Sequence, residues 1–280
     1  MKYKIIADSS CDLNEEIKDK LKVSLVPFKI DVDDKKYVDD ENLDTMELID
    51  AMKKSPNPVR TSCPSPGDFA EQYKSTAADN IFVVTISSNL SGTYNSAVLA
   101  KNIIKDTEPN KFIHVFDSKS ASVGETLVAM KIHELIEEKV SHLEIIEKVE
   151  KYIKEMKTYF ILESLDNLIK SGRLSKTKGL LANILNLKPI LGSDGDGNIK
   201  LFENVRGTKK AFRRLVELIG ETGEKLEEKI LAISHANALE KAEELKNEIQ
   251  KRYKFKDIIL VKQAGLSTAY ANEGGIIIVF

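Results

Sequence analysis

The sequence predicts an α/β protein, and two observations carry that expectation. Apolar, strand-like runs alternate with amphipathic helical segments through the first half of the chain. Three of those strands also run straight into small hydroxyl-rich loops that open helices. Lys4 to Ala7 enters Asp8-Ser9-Ser10-Cys11-Asp12, Ile81 to Ile86 enters the loop from Ser87 to Thr93, and Phe112 to Phe116 enters Asp117-Ser118-Lys119-Ser120. In an open α/β sheet, ligands bind beyond the carboxyl ends of the strands, where helix N-termini direct free N–H groups outward. The pattern places several neutral donors around one anionic group with no nucleophile–base pair beside them, which favours holding a ligand over transforming it.

The elements follow in order. After the first strand, Asn14 to Leu21 reads as a short helix and Val23 to Ile30 as extended chain. Asp31 to Asp40 is acidic and reads as a β-turn region, and Asp44 caps a helix reaching Lys53. Four of the seven prolines fall between Ser55 and Pro66, which predicts an ordered, non-helical loop. Helices are expected over Gly92 to Lys105, Ser120 to Lys139 and His142 to Met156. The second half changes character, and a domain boundary is placed near residue 157, giving domains of 1–157 and 158–280. Tyr159 to Leu162 is a short strand, followed by a helical stretch from Asp166 to Ser171 and a basic turn from Gly172 to Lys176. Thr177 to Leu187 reads as an apolar helix. Pro189 opens a strand, which turns at Asp194-Gly195-Asp196-Gly197-Asn198 into a second one, Ile199 to Glu203. A helix from Gly207, a strand from Lys229 to Ser234, a helix from Asn237 to Lys251, a strand from Lys256 to Val261 and a buried strand from Gly274 to Phe280 complete the chain.

Composition narrows the function classes. A formal net charge of −2, from 42 basic and 44 acidic residues, gives no strong pull toward nucleic acid or membrane. The only cysteines are Cys11 and Cys63, in different loops, which fits a reducing cytosol and neither a disulfide framework nor a zinc site. No stretch approaches the roughly 20 apolar residues of a membrane span, so a soluble, cytoplasmic protein is expected. The four histidines lack metal-ligand spacing. Neither a nucleophile elbow, nor a P-loop, nor a dinucleotide-type glycine fingerprint occurs. No metal or other cofactor is expected.

The loop from Ser87 to Thr93 is the strongest local signal. A helix cap needs one hydroxyl, whereas this loop supplies Ser87, Ser88, Ser91 and Thr93. Ser91 beside Gly92 is the leading ligand candidate, because glycine allows close approach to the backbone. In the loop from Arg60 to Asp68, Ser65 serves as a cap with Pro66 at the first helical position, and Asp68 as a dipole partner. Thr61 and Ser62 are unneeded for that and remain candidate donors. Arg173 and Arg206 lie in glycine-containing turns, where most arginines are surface residues. Arg206 precedes a helix N-terminus, where a cation opposes the macrodipole unless an anion is bound, which makes it the stronger candidate for a carboxylate or phosphate contact. His235 ends a strand and reads as a structural residue. The competing class is a small enzyme using Cys11 or Cys63 as nucleophile, or processing phosphate. A lipid-sensing regulatory protein is a third reading.

Taken together, these segments resemble the DegV family, which includes bacterial fatty-acid-binding proteins that serve a separate fatty acid kinase. The matching stretches are IIADSSCDL near the start, TSCPSPGDF from Thr61, ISSNLSGTYNSA from Ile86, VFDSKSAS from Val115, LDNLIKSGRLSKTKGLLANILNLKPIL from Leu165 and ENVRGTKKA from Glu203. They spread over most of the chain in the family's order. The resemblance implies two α/β domains with a lipid-binding cleft between them, and one long-chain fatty acid buried there. It implies a carboxylate held by Thr61, Ser62 and Ser91, with Arg206 as a further contact. It also implies a partner kinase that phosphorylates the acyl group, so that this chain presents substrate and is not the catalyst. One departure stands out. Many members end in a segment like THTGPGALG, and counting back from Phe280 puts Tyr270 in the place of its histidine. A tyrosine hydroxyl donates to a carboxylate without adding positive charge. Cys63 likewise stands where glutamine is more often found.

Overall fold

A computed structural model describes residues 2–174 and 187–280 of the chain. In chain order, β1 (Tyr3–Asp8), α1 (Glu15–Leu21) and β2 (Ser24–Val26) lead into a hairpin of β3 (Lys29–Val32) and β4 (Lys35–Val38). Next come α2 (Thr45–Lys54), β5 (Arg60–Ser62), α3 (Pro66–Ser75), β6 (Asn80–Thr85), α4 (Thr93–Ile104), β7 (Phe112–Asp117), α5 (Val123–Glu137) and α6 (His142–Glu155). β8 (Thr158–Ile161), α7 (Asp166–Lys170), β9 (Leu187–Ser193), β10 (Ile199–Arg206), α8 (Thr208–Thr222) and β11 (Ile230–His235) follow. The chain closes with α9 (Leu239–Arg252), β12 (Asp257–Lys262), α10 (Gly265–Ala271) and β13 (Ile276–Val279).

The strands form three sheets among the described residues. β2-β1-β6-β7 is wholly parallel, and β10-β9-β8-β13-β11-β12 is antiparallel except for its β11–β12 pair. A small antiparallel sheet, β4-β3-β5, carries Thr61 opposite Ile30. The helix α5 joins the two large sheets. Its residues from Val123 to Ala129 are all buried, and Leu127 and Val128 share one core with Phe82 and Val84 of β6, Ala232 of β11 and Val279 of β13. The first two turns of α5 are covered on every side, with the polar Glu125 and Thr126 among the buried residues. The parallel sheet thus ends its strands facing the larger sheet across a cleft.

Local chemistry accounts for most boundaries. Asn14, Asp44, Ser65 and Ser141 each cap a helix, accepting from the backbone N–H of Ile17, Met46, Asp68 and Glu144. Ser65 and Asp68 form a full capping box, so Asp68 does more than complement the dipole. α5 starts three residues later than Ser120 because Lys119 and Ser122 take φ of 53° and 58°. α9 starts after Asn237, whose φ is 45°. The expected loop from Ser55 to Pro66 holds one short strand, β5. The apolar helix expected over Thr177 to Leu187 lies outside the described residues, apart from Leu187, which opens β9. α10 has no counterpart in the sequence reading.

Candidate functional site

A cavity opens between the carboxyl ends of the parallel sheet and the face of the larger one. It encloses about 880 Å³ of space free of atoms, part of it open to solvent. Its walls are largely apolar. Phe160, Leu162, Leu168, Ile199, Ala271 and Ile277 line it, and all belong to a cluster that also holds Leu165, Leu174 and Leu191. The polar groups that face it are hydroxyls together with Arg173, Lys119 and Asn198. No histidine, cysteine, aspartate or glutamate is among its described lining residues. Such a lining suits an apolar chain that ends in a polar or anionic group.

Thr61, Ser91 and Tyr270 all line this cavity. The Thr61 Oγ1 and Tyr270 hydroxyls are hydrogen-bonded at 2.8 Å, and those of Ser91 and Thr93 at 2.8 Å. The two loops are neighbours here: a Cβ on Gly92 would sit 3.7 Å from Cys63 Sγ, an ordinary contact. Ser62 and Arg206 are placed elsewhere. Strand side chains alternate between faces, so with Thr61 turned inward Ser62 is exposed and outside the cavity lining. On β10, residues alternate between half-buried and exposed, and Arg206 falls on the exposed side, also outside the lining.

Of the two arginines in glycine-containing turns, the cavity presents Arg173 and not Arg206. Arg173 is half-buried in the lining, its Nε donating to Leu90 O at 3.1 Å and its Nη1 to Ser171 O at 2.9 Å. Gly172, with φ of 76°, reverses the chain ahead of it. These bonds use two of the guanidinium's five donors, and no carboxylate pairs with Arg173 among the described residues. Lys119, in contrast, is paired with Asp117 at 2.9 Å. The signal in the sequence was the Gly-Arg turn, which composition alone could not separate from a surface arginine.

Behind the hydroxyls lies a buried acidic layer. Asp8 accepts from the N–H groups of Ser10 and Ile86, both at 2.9 Å. Asp12 accepts from Ala264 N at 2.7 Å and from the Ser122 hydroxyl. Burial pushes both carboxyls up to about 7. It raises Glu125 well above the carboxylate range, with the charge of Asp8 adding to the effect, and it also raises Asp39. The Cys11 thiol is buried and pushed well up by burial and then by Glu125, which disfavours the thiolate that a nucleophile needs. His235 Nδ1 accepts from Ala238 N at 3.2 Å, the structural role expected of it. Among the described residues no cluster of His, Cys, Asp or Glu suits a metal ion, and no helix is long and apolar enough to cross a membrane.

Comparison with known proteins agrees with this architecture. The family described as "Uncharacterised protein, DegV family" matches residues 2–280. A DegV domain-containing protein of Streptococcus pneumoniae is 34% identical over 279 residues, 99% of this chain and 98% of its own. A DegV family structure from Ruminococcus gnavus, refined with vaccenic acid, is 42% identical with a TM-score of 0.96, covering 99% of each chain. The Streptococcus pneumoniae Fatty Acid Kinase (Fak) B3 protein, loaded with linoleic acid, is 32% identical with a TM-score of 0.90, covering 100% of this chain and 99% of that one. Its two α/β domains are those of these structures, and the chain belongs to the DegV family.

Proposed function

We propose that this chain binds one long-chain fatty acid between its two domains, with the boundary taken at residue 157, and presents it to a partner fatty acid kinase. The carrying observation is the polarity of one cavity: apolar walls, a corner of hydroxyls with Arg173, and no acidic residue in the lining among the described residues. The carboxylate sits among Thr61, Ser91, Arg173 and Tyr270. A carboxylate taken out of water needs such donors, and a guanidinium supplies charge as well. The tail lies along Phe160, Leu162, Leu168 and Ile277. Burying it gains roughly 0.8 kcal/mol per methylene, on the order of 11 kcal/mol gross for about fourteen of them, before the costs of association. The tail therefore supplies most of the affinity and the polar corner sets the orientation. The acids held by the similar structures support this reading, and the Fak B3 relative supports the kinase partner.

In this reading the chain is a carrier and the acyl-phosphate chemistry belongs to the partner, as the likeness to the Fak B3 protein supports. Mass spectrometry of the purified protein, native and after organic extraction, tests the binding. One equivalent of a long-chain fatty acid is expected. A protein that is empty and also takes up no added fatty acid would overturn the proposal.

A further inference from the structure

We infer that Asp39 positions Tyr270 for the ligand carboxylate, although it does not line the cavity. The inference rests on the fatty-acid reading and deepens it.

α10 carries four lining residues, Leu266, Ser267, Tyr270 and Ala271, on one face. Its seven residues, GLSTAYA, are too few for a helix stable by itself, so tertiary contacts must fix it. The first half of the chain supplies them. Asp39 Oδ1 accepts from Gly265 N at 2.7 Å, and Oδ2 from Leu266 N at 2.9 Å. Asp12 takes the preceding amide, Ala264 N. Three consecutive N–H groups at the start of the helix are thus satisfied by two carboxylates distant in sequence. With its opening amides occupied by the protein's own side chains, this helix end is a brace and has no vacancy for a ligand.

Asp39 is itself held rigidly. It is 3% exposed, its N–H bonds to Phe28 O at 2.9 Å, and its Oδ2 also accepts from Ser9 Oγ at 2.8 Å. Ser9 Oγ in turn accepts from Phe28 N at 3.0 Å. Gly265 permits the approach, since a Cβ there would collide with Leu43 and Asp39 Oδ1. Asp39 directly follows β4, in the small sheet whose β5 carries Thr61. One rigid unit therefore fixes the start of α10 through Asp39 and meets its far end through the Thr61–Tyr270 bond. The Asn167 side chain, bonded to Ala269 O at 2.8 Å, holds the helix from the other half.

The test compares binding of oleic acid and oleyl alcohol, which share a tail and differ in head-group charge. Asp39→Asn replaces an acceptor oxygen with a donor facing the helix amides. It is expected to weaken oleic acid binding roughly tenfold and to change oleyl alcohol binding about twofold or less. The loss should vanish in a Tyr270→Phe background. Ser9→Ala, which removes one bond to the same carboxylate, should give a smaller selective loss, roughly threefold, and decides the matter if Asp39→Asn does not fold. Equal losses for both probes, or a loss that persists without the Tyr270 hydroxyl, would make Asp39 merely structural and overturn the inference alone. A wild-type protein that binds neither probe would overturn the fatty-acid reading with it.

Discussion

The hydroxyls of Thr61 and Tyr270, 209 positions apart in the chain, meet at 2.8 Å in the polar corner of the cavity. Either can donate to the other, and both can turn toward an incoming carboxylate. Tyr270→Phe and Thr61→Val should therefore each weaken fatty acid binding about tenfold, the scale of a hydrogen bond to a charged group. Because the two residues share one bond, the double variant should lose less than the product of the singles. Titration calorimetry with a long-chain acid measures this, and strictly multiplicative losses would mean that the pair does not act together on the head group.

Arg173 and Arg206 give opposite expectations. Arg173 faces the cavity without a carboxylate partner among the described residues, whereas Arg206 is exposed at the end of β10. Arg173→Ala should cost fatty acid affinity at least tenfold, since a charged donor is lost from a partly desolvated corner. Arg206→Ala should leave affinity for the free acid unchanged. The reverse ranking would put the carboxylate somewhere other than this corner.

The buried acids make stability depend on pH in an unusual sense. Burial holds Asp8 and Asp12 at about 7 in the folded chain, against an ordinary 3.8. The folded state thus binds more protons than the unfolded one between those values, so stability falls as pH rises through 7. His114, pushed down to about 4 by burial, acts oppositely below its ordinary 6.5. From about pH 8 to about pH 6.5 the carboxyls therefore dominate, and stability should rise by on the order of 1 kcal/mol. Thermal melts at the two values check this. Asp8→Asn or Asp12→Asn should flatten the trend, and a melting point that falls toward pH 6.5 would contradict it.

Much of this arrangement was legible in the sequence, for a physical reason. Loops at strand ends are local signals, so IIADSSCDL and ISSNLSGTY announce both the strand and the donors that follow it. Capping works over three residues, which is why Asn14, Asp44 and Ser65 could be placed as helix starts. What was not legible depends on distant partners. α10 exists because Asp39 and Asp12 satisfy its first amides, across more than 200 positions of chain. Arg173 and Arg206 sit in similar glycine-containing turns, and only the strand alternation of β10 and the contact with Leu90 separate them. Ser62 follows the same logic: its hydroxyl matches the pattern, but its neighbour Thr61 takes the inward face of β5.

The β9–β10 turn closes the cavity from above, and its seal can be tested at Gly197. Ser87 Oγ donates to Gly197 O at 2.9 Å, Asn89 Nδ2 to Asp196 O at 2.9 Å, and Ser193 Oγ to Lys119 O at 3.2 Å. The turn of the larger sheet is thereby pinned to the loops of the smaller parallel one. Gly197 has φ of 90°, and a Cβ there would run into Ser87 Oγ and come within 3.0 Å of Lys119 Cα. Gly197→Ala adds strain at a positive φ and pushes the turn off its seat. It should destabilise the protein by about 1–3 kcal/mol and lower lipid retention, because Gly197, Asn198 and Ile199 all line the cavity. Gly195→Ala is the control. Gly195 also has positive φ, 99°, but nothing lies within 4 Å of its would-be Cβ, so it should cost stability without emptying the cavity. Equal lipid loss in both variants would mean that backbone strain alone, and not the seal against Ser87, governs retention.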